Sequence, residues 1–209
     1  MTSPALRSRL RRFDAASWSG AIVSMVLLTA VVWIVQIVNV QDDYGLDRFG
    51  LRPRTVSGLW GVLTMPFLHA SWDHLLSNTL PLLLIGWVVL IEGLRVWSIV
   101  TSVVVVGGGL LTWAVGPGDT VIVGASALVF GWLGYLIARA VVSRRIRWIV
   151  SAAMVLAIFG TLLNGLVPVP HSHVSWQAHV CGFVAGAAVG AVLHPRRGER
   201  LRPRRGAVS

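Results

Sequence analysis

Gly124-Ala125-Ser126-Ala127-Leu128-Val129-Phe130-Gly131-Trp132-Leu133-Gly134-Tyr135-Leu136-Ile137-Ala138 is an apolar run with a single hydroxyl near its start. A second run opens on His179 and continues Val180-Cys181-Gly182-Phe183-Val184-Ala185-Gly186-Ala187-Ala188-Val189-Gly190. Both read as segments that cross a bilayer, for which about 20 apolar residues are needed. An ionisable side chain inside such a segment is costly and marks a functional site by default. A serine and a histidine that could meet suggest a nucleophile and its base.

Working outward, the whole chain shares this character. It has 209 residues, 55% of them hydrophobic, and a mean hydropathy of +0.74. Only 12% are charged, against roughly a quarter in soluble domains. The class is an all-α polytopic membrane protein. Apolar length places six spans, at about residues 21–40, 74–91, 96–115, 124–142, 146–167 and 176–193. The first is longer than a signal-peptide core and no small-residue cleavage site follows it, so it is read as retained. The chain therefore divides into a basic N-terminal tail (1–19), a six-helix membrane core (20–195) and a basic C-terminal tail (196–209). The single cysteine, Cys181, has no partner for an internal disulfide and falls in a span, where it reads as a packing residue.

The formal charge of +10 would suggest nucleic acid in a soluble protein. Here the arginines stand at the ends of apolar runs, which is the pattern of membrane orientation, and no nucleic-acid partner is inferred. Arg7, Arg9, Arg11 and Arg12 precede span one. Arg139, Arg144, Arg145 and Arg147 are assigned to the fourth connection, and six arginines from Arg196 to Arg205 follow span six. Six crossings put these three groups on the cytoplasmic side. Residues 116–123 and 168–175 carry no Lys or Arg and fall outside. The expected location is the plasma membrane, multi-pass, with both termini cytoplasmic.

This topology brings four polar groups to one depth. His74 and Asn78 lie in the first turns of span two, Ser126 in the first turn of span four and His179 in the first turns of span six, all near the external face. His74 and Asn78 are four apart, on one helical face. Gly182, Gly186 and Gly190 repeat at four-residue spacing along span six, and small residues so spaced let helix backbones approach closely in lipid. Gly131 and Gly134 thin span four. Serine needs a base, which His179 can be, and an acyl intermediate needs donors for its oxyanion. His74, Asn78 and the Ser126 backbone N–H, free in a first helical turn, can supply them. Asp73 and Asp119 lie in or near loops, so a Ser-His dyad is favoured over a triad.

These residues carry a resemblance. Gly124-Ala125-Ser126 with Phe130 a turn later, His69 and His74-Leu75-Leu76-Ser77-Asn78, and Ala178-His179-Val180-Cys181-Gly182 with Gly186 resemble the rhomboid intramembrane serine proteases in order and spacing. The resemblance covers the six-span core, about residues 21–194. It implies a six-transmembrane-helix rhomboid-like bundle, Ser126 as nucleophile and His179 as base. It also implies His74, Asn78, Gly124 and the Ser126 backbone at the oxyanion and substrate site, and Phe130 against the catalytic histidine. The implied activity is cleavage of transmembrane helices of membrane-protein substrates near the extracytoplasmic face, with no cofactor. The implied partners are single-pass substrates and the lipid bilayer. Nothing in the sequence specifies an oligomeric state. Two departures stand out: Ala127 replaces the glycine that usually follows the serine, and the first external loop lacks the family's Trp-Arg pair.

The first external connection, residues 41–73, mixes Arg48, Arg52 and Arg54 with Leu59, Trp60, Leu63 and Phe67, and reads as a segment lying partly in the outer leaflet. Residues 168–175, with Pro168 and Pro170, read as a short external loop; the resemblance implies a substrate gate there. His69 is expected to make a structural hydrogen bond, and His194 to end span six. His69, His171 and His173 could join His74 and His179 around a metal, but there is no HExxH and no paired cysteine, so no metal is assigned. Two other functions remain in view. One is a catalytically silent relative that binds membrane helices. The other is a small transporter or metal-handling protein, which would call for charged groups within the spans or an internal repeat.

Overall fold

The computed structural model describes residues 4–168 and 175–193, with side chains from Gly20 onward except Ala21. Six helices are long and apolar enough to cross a membrane. They are α1 (Pro4–Gln41, apolar from Ile22), α2 (Trp72–Leu90), α3 (Leu94–Val115), α4 (Ser126–Ser143), α5 (Ile146–Leu166) and α6 (Trp176–Leu193). Each apolar span agrees with the sequence expectation to within a residue or two. The α1 helix also runs back through residues 4–19, expected as tail; the Arg, Leu and Ala found there favour helix. The C-terminal tail, with His194, and Pro170, His171 and His173 of the fifth connection lie outside the described residues.

The most buried helix is α4 and the least buried is α5. The packing of α6 on α4 follows from glycine. A Cβ on Gly182 would stand 2.0 Å from the Ala127 carbonyl oxygen, one on Gly186 1.8 Å from that of Gly131, and one on Gly190 2.8 Å from that of Tyr135. Gly134 returns the contact, its missing Cβ 2.2 Å from the Phe183 carbonyl oxygen. Four-residue steps on α6 thus meet four-residue steps on α4, backbone against backbone. Across the bundle, α3 contains a wide π turn at Val104–Gly108. There Val104 fills the space over Gly131, and Gly108 faces the Gly182 backbone. Trp33 of α1 donates to Thr79 of α2 at 3.2 Å, and Trp132 of α4 to Thr101 of α3 at 3.1 Å.

The long first connection is ordered into short helical turns at Gly45–Phe49, Ser57–Trp60, Gly61–Thr64 and Met65–Phe67. Its only strand-like pairing among the described residues is an antiparallel bridge, Leu51 with Ile122, with both N–H···O distances 2.9 Å. The Arg54 guanidinium donates to the Gly116 carbonyl at the C-terminal end of α3, where a cation is favoured. Val56 (83% exposed) and Trp60 (72%) form part of an uncovered apolar edge of this connection.

One expectation is corrected. Arg139 is not in the fourth connection but inside α4, with its side chain 8% exposed. Its Nε lies 3.1 Å from Glu92 Oε2 and its guanidinium covers the Trp148 ring at 4.9 Å. Tyr135 donates to Glu92 Oε1 at 2.8 Å. An arginine near the end of an apolar run reads as a loop residue, yet it can be buried when a carboxylate meets it, here Glu92 from the turn between α2 and α3. A charged group thus does lie within a span, at the end of the bundle away from Ser126, and paired.

Two outcomes follow for thermal unfolding in detergent. Gly186→Val should cost at least about 3 kcal/mol, because it inserts atoms into a backbone contact, whereas Val192→Leu on the exposed face of α6 should be neutral. Arg139→Met should cost about 3–5 kcal/mol by leaving Glu92 charged and buried, and Glu92→Gln added to it should restore part of the loss.

Candidate active site

Three local features aim the serine. Gly124 has φ +124°, a conformation natural to glycine, and a Cβ there would stand 2.7 Å from the His74 ring. Its N–H donates to the Met65 carbonyl at 2.8 Å. The next N–H, of Ala125, donates to His69 Nε2 at 3.3 Å. The turn into α4 is therefore held from outside the helix, and Ser126 opens the helix with its hydroxyl uncommitted to capping.

His69 is fully buried. Burial, and secondarily the neighbouring His74, push its pKa down to about 3, against a smaller opposing contribution from the Phe67 backbone. It is neutral, which leaves Nε2 free to accept from Ala125. Its ring meets His74 edge-on at 5.0 Å. The expected structural role of His69 is found, with the turn before Ser126 as its target.

His179 is 6% exposed in the first turn of α6. Ser175 before it accepts from the Ala178 N–H at 3.4 Å and from the His179 N–H through its carbonyl at 3.3 Å. His179 Nε2 lies 2.8 Å from Ser126 Oγ. Its Nδ1 lies 2.9 Å from the Gly165 carbonyl oxygen. A carbonyl can only accept, so Nδ1 carries the proton and Nε2 presents a lone pair to the serine hydroxyl. Phe130, one turn after Ser126, stacks on the imidazole with centroids 4.2 Å apart and planes 16° from parallel.

Ser126, His179, His74, Asn78, Gly124 and Gly165 all line one cavity of about 1100 Å³. In α2, Ser71 caps the first turn by accepting from the His74 N–H at 3.1 Å. Asn78 donates one amide hydrogen to the His74 carbonyl at 2.8 Å, leaving its second N–H to be considered. Ala127 lines the same cavity and packs with Leu51, Val62, Met65, Ile122 and Ala178. Gly182 and Gly186 act at one remove, through the helix contact. The structure thus brings together the site residues singled out in the sequence. Among the described residues no three of His, Cys, Asp or Glu converge to hold a metal ion.

Sequence reasoning missed two contributors. Gly165 acts through its backbone, and only an Asn-Gly pair near a span end marks it. Asn39, fully buried in α1, donates to Asp47 at 2.9 Å and to the His69 carbonyl at 3.4 Å. The Asp47 carboxyl is held above its usual range by burial, with Asn39 and His74 opposing that rise. The available signal was a pair of amides, Gln36 and Asn39, in a mostly apolar first span.

Comparison with known proteins identifies the family. A rhomboid domain model matches residues 56–196. An uncharacterized protein of Mycobacterium tuberculosis is 36% identical over 200 residues, covering 92% of this chain and 83% of that protein. Rhomboid-related protein 1 of Caenorhabditis elegans is 29% identical over 69% of this chain and 43% of its own length. RHOMBOID-like protein 5 of Arabidopsis thaliana is 30% identical over 72% and 47%. A multi-pass helical bundle with this serine and histidine in contact, matched over most of its length by that domain, belongs to the rhomboid family.

Proposed function

We propose that this protein is an intramembrane serine endopeptidase that cuts transmembrane helices of membrane-protein substrates by a Ser126–His179 dyad. The observation that carries this reading is the 2.8 Å contact between His179 Nε2 and Ser126 Oγ on the wall of the cavity. His179 takes the serine proton as Oγ attacks the scissile carbonyl carbon, and the carbonyl oxygen becomes an oxyanion. The Ser126 backbone N–H, a His74 ring N–H and the second Asn78 N–H are the donors for that charge. The intermediate collapses, His179 hands the proton to the departing amine, and an acyl-serine remains. Water, activated by the same imidazole, then releases the second product. A helical peptide bond is shielded by its own hydrogen bonds, so the substrate must unwind at the cut.

The charge pattern supports an orientation. The basic N-terminal segment and Arg144, Arg145 and Arg147, after α4, belong at the end opposite Ser126. By the positive-inside rule that end is cytoplasmic, and the cut is made near the extracytoplasmic face of the plasma membrane. The uncovered Trp60 edge fits the water–lipid interface.

The test is cleavage of a model single-pass substrate by purified protein in liposomes. Ser126→Ala and His179→Ala should each lower kcat by at least about 10,000-fold, and Ser126→Ala should abolish fluorophosphonate labelling. Undiminished cleavage by either variant, or crosslinking of substrate to wild-type protein without cleavage, would overturn the reading, the latter in favour of a silent helix binder. Asn78→Ala should lower kcat about 100-fold with KM and thermal midpoint near wild type, since its donor acts in the transition state.

A further inference from the structure

We propose that Gly165 is a positioning residue for the dyad, its main-chain carbonyl taking the place that a carboxylate holds in a Ser-His-Asp triad. This rests on the peptidase reading above. Three observations carry it. The carbonyl oxygen is 2.9 Å from His179 Nδ1, on the side of the ring opposite the nitrogen that meets Ser126. The segment that carries it, Gly160–Leu166, is wound as a 3-10 helix continuing Ile146–Phe159. At a rise of about 2.0 Å rather than 1.5 Å per residue, its seven residues reach about 3.5 Å further along the axis. The residue is glycine for a steric reason: a Cβ would stand 2.9 Å from both His179 Nδ1 and Phe130 Cζ, crowding an edge of each stacked ring.

The chemistry matches the position. The last carbonyls of a helix carry its partial negative charge, the sign needed opposite an imidazole that becomes imidazolium as Ser126 gives up its proton. An acceptor that cannot donate fixes the tautomer, the task of the triad aspartate. It does so without a net charge, which would be expensive to bury within a membrane protein. Of the six spans, α5 is the least buried, so the group that orients the base is carried by the helix with the smallest buried share.

The experiment weakens the acceptor without changing any side chain. Leu166 is replaced by its α-hydroxy acid, turning the Gly165–Leu166 amide into an ester whose carbonyl accepts poorly. The same replacement at exposed Ile158 controls for the general cost of an ester in α5. His179 is labelled with 15N in both and in the wild type. The expected result is a proton on Nδ1 in the wild type and a mixed tautomer in the Leu166 ester. Substrate kcat and the fluorophosphonate labelling rate should fall about tenfold with KM within about twofold, as for loss of roughly one hydrogen bond, and the Ile158 ester should behave as wild type. A wild-type proton on Nε2, or a Leu166 ester with unchanged tautomer and turnover, would overturn the proposal. Wild-type protein that cuts nothing, yet shows the ester-sensitive Nδ1 proton, would sink the peptidase reading and leave the orienting contact standing.

Discussion

The direct contact of two helix backbones, α6 on α4, is the constraint on which the site depends. Side chains normally hold helices 8–10 Å apart. Here glycines of one helix face the backbone of the other, and carbonyl oxygens of Ala127 and Gly131 crowd the places where Cβ atoms would be. Because Ser126 directly precedes Ala127, and His179 lies three residues before Gly182, the same register that seats glycine on carbonyl also seats imidazole on hydroxyl. Lipid offers no hydrophobic force to press helices together, so close fit has to do it. The π turn of α3, packing Val104 over Gly131 and Gly108 against Gly182, braces the crossing from a third side.

Two buried polar networks secure the ends of this arrangement. Near the dyad, Asn39 ties the first connection to His69, and His69 ties α2's approach to the turn before Ser126. At the far end, Glu92 gathers Arg139 and Tyr135. Each joins elements distant in sequence through groups that would be costly to leave unpaired. Ser126 is therefore located by hydrogen bonds from its backbone neighbours, which leaves its own hydroxyl available for the histidine.

Much of this was readable from the chain because lipid simplifies the code. Six apolar lengths gave six helices, and Ser126, His74, Asn78 and His179 were conspicuous as polar groups at one depth. The four-residue glycine spacing gave the crossing that joins them. What escaped was of another kind. Every residue has a carbonyl, so nothing in the letters distinguishes that of Gly165. Arg139 was misplaced because an arginine beside an apolar run is ordinarily a boundary, and only the fold shows that Glu92 reaches it. The π turn in a run of valines and glycines leaves no periodic trace in so uniformly apolar a segment.

The buried, uncharged state of His69 has a consequence for acid tolerance. Released from the fold, this imidazole would take up a proton near pH 6.5, whereas in place it refuses one until about pH 3. Its contribution to stability is thus whole above neutrality and drains away as the medium is acidified through that interval, by as much as about 1.4 kcal/mol per pH unit. Acidification erodes the global balance between folded and unfolded chain well before it disturbs the hydrogen bond that His69 accepts from Ala125. A mildly sour environment would lower the folded fraction while leaving Ser126 of each folded molecule held in place.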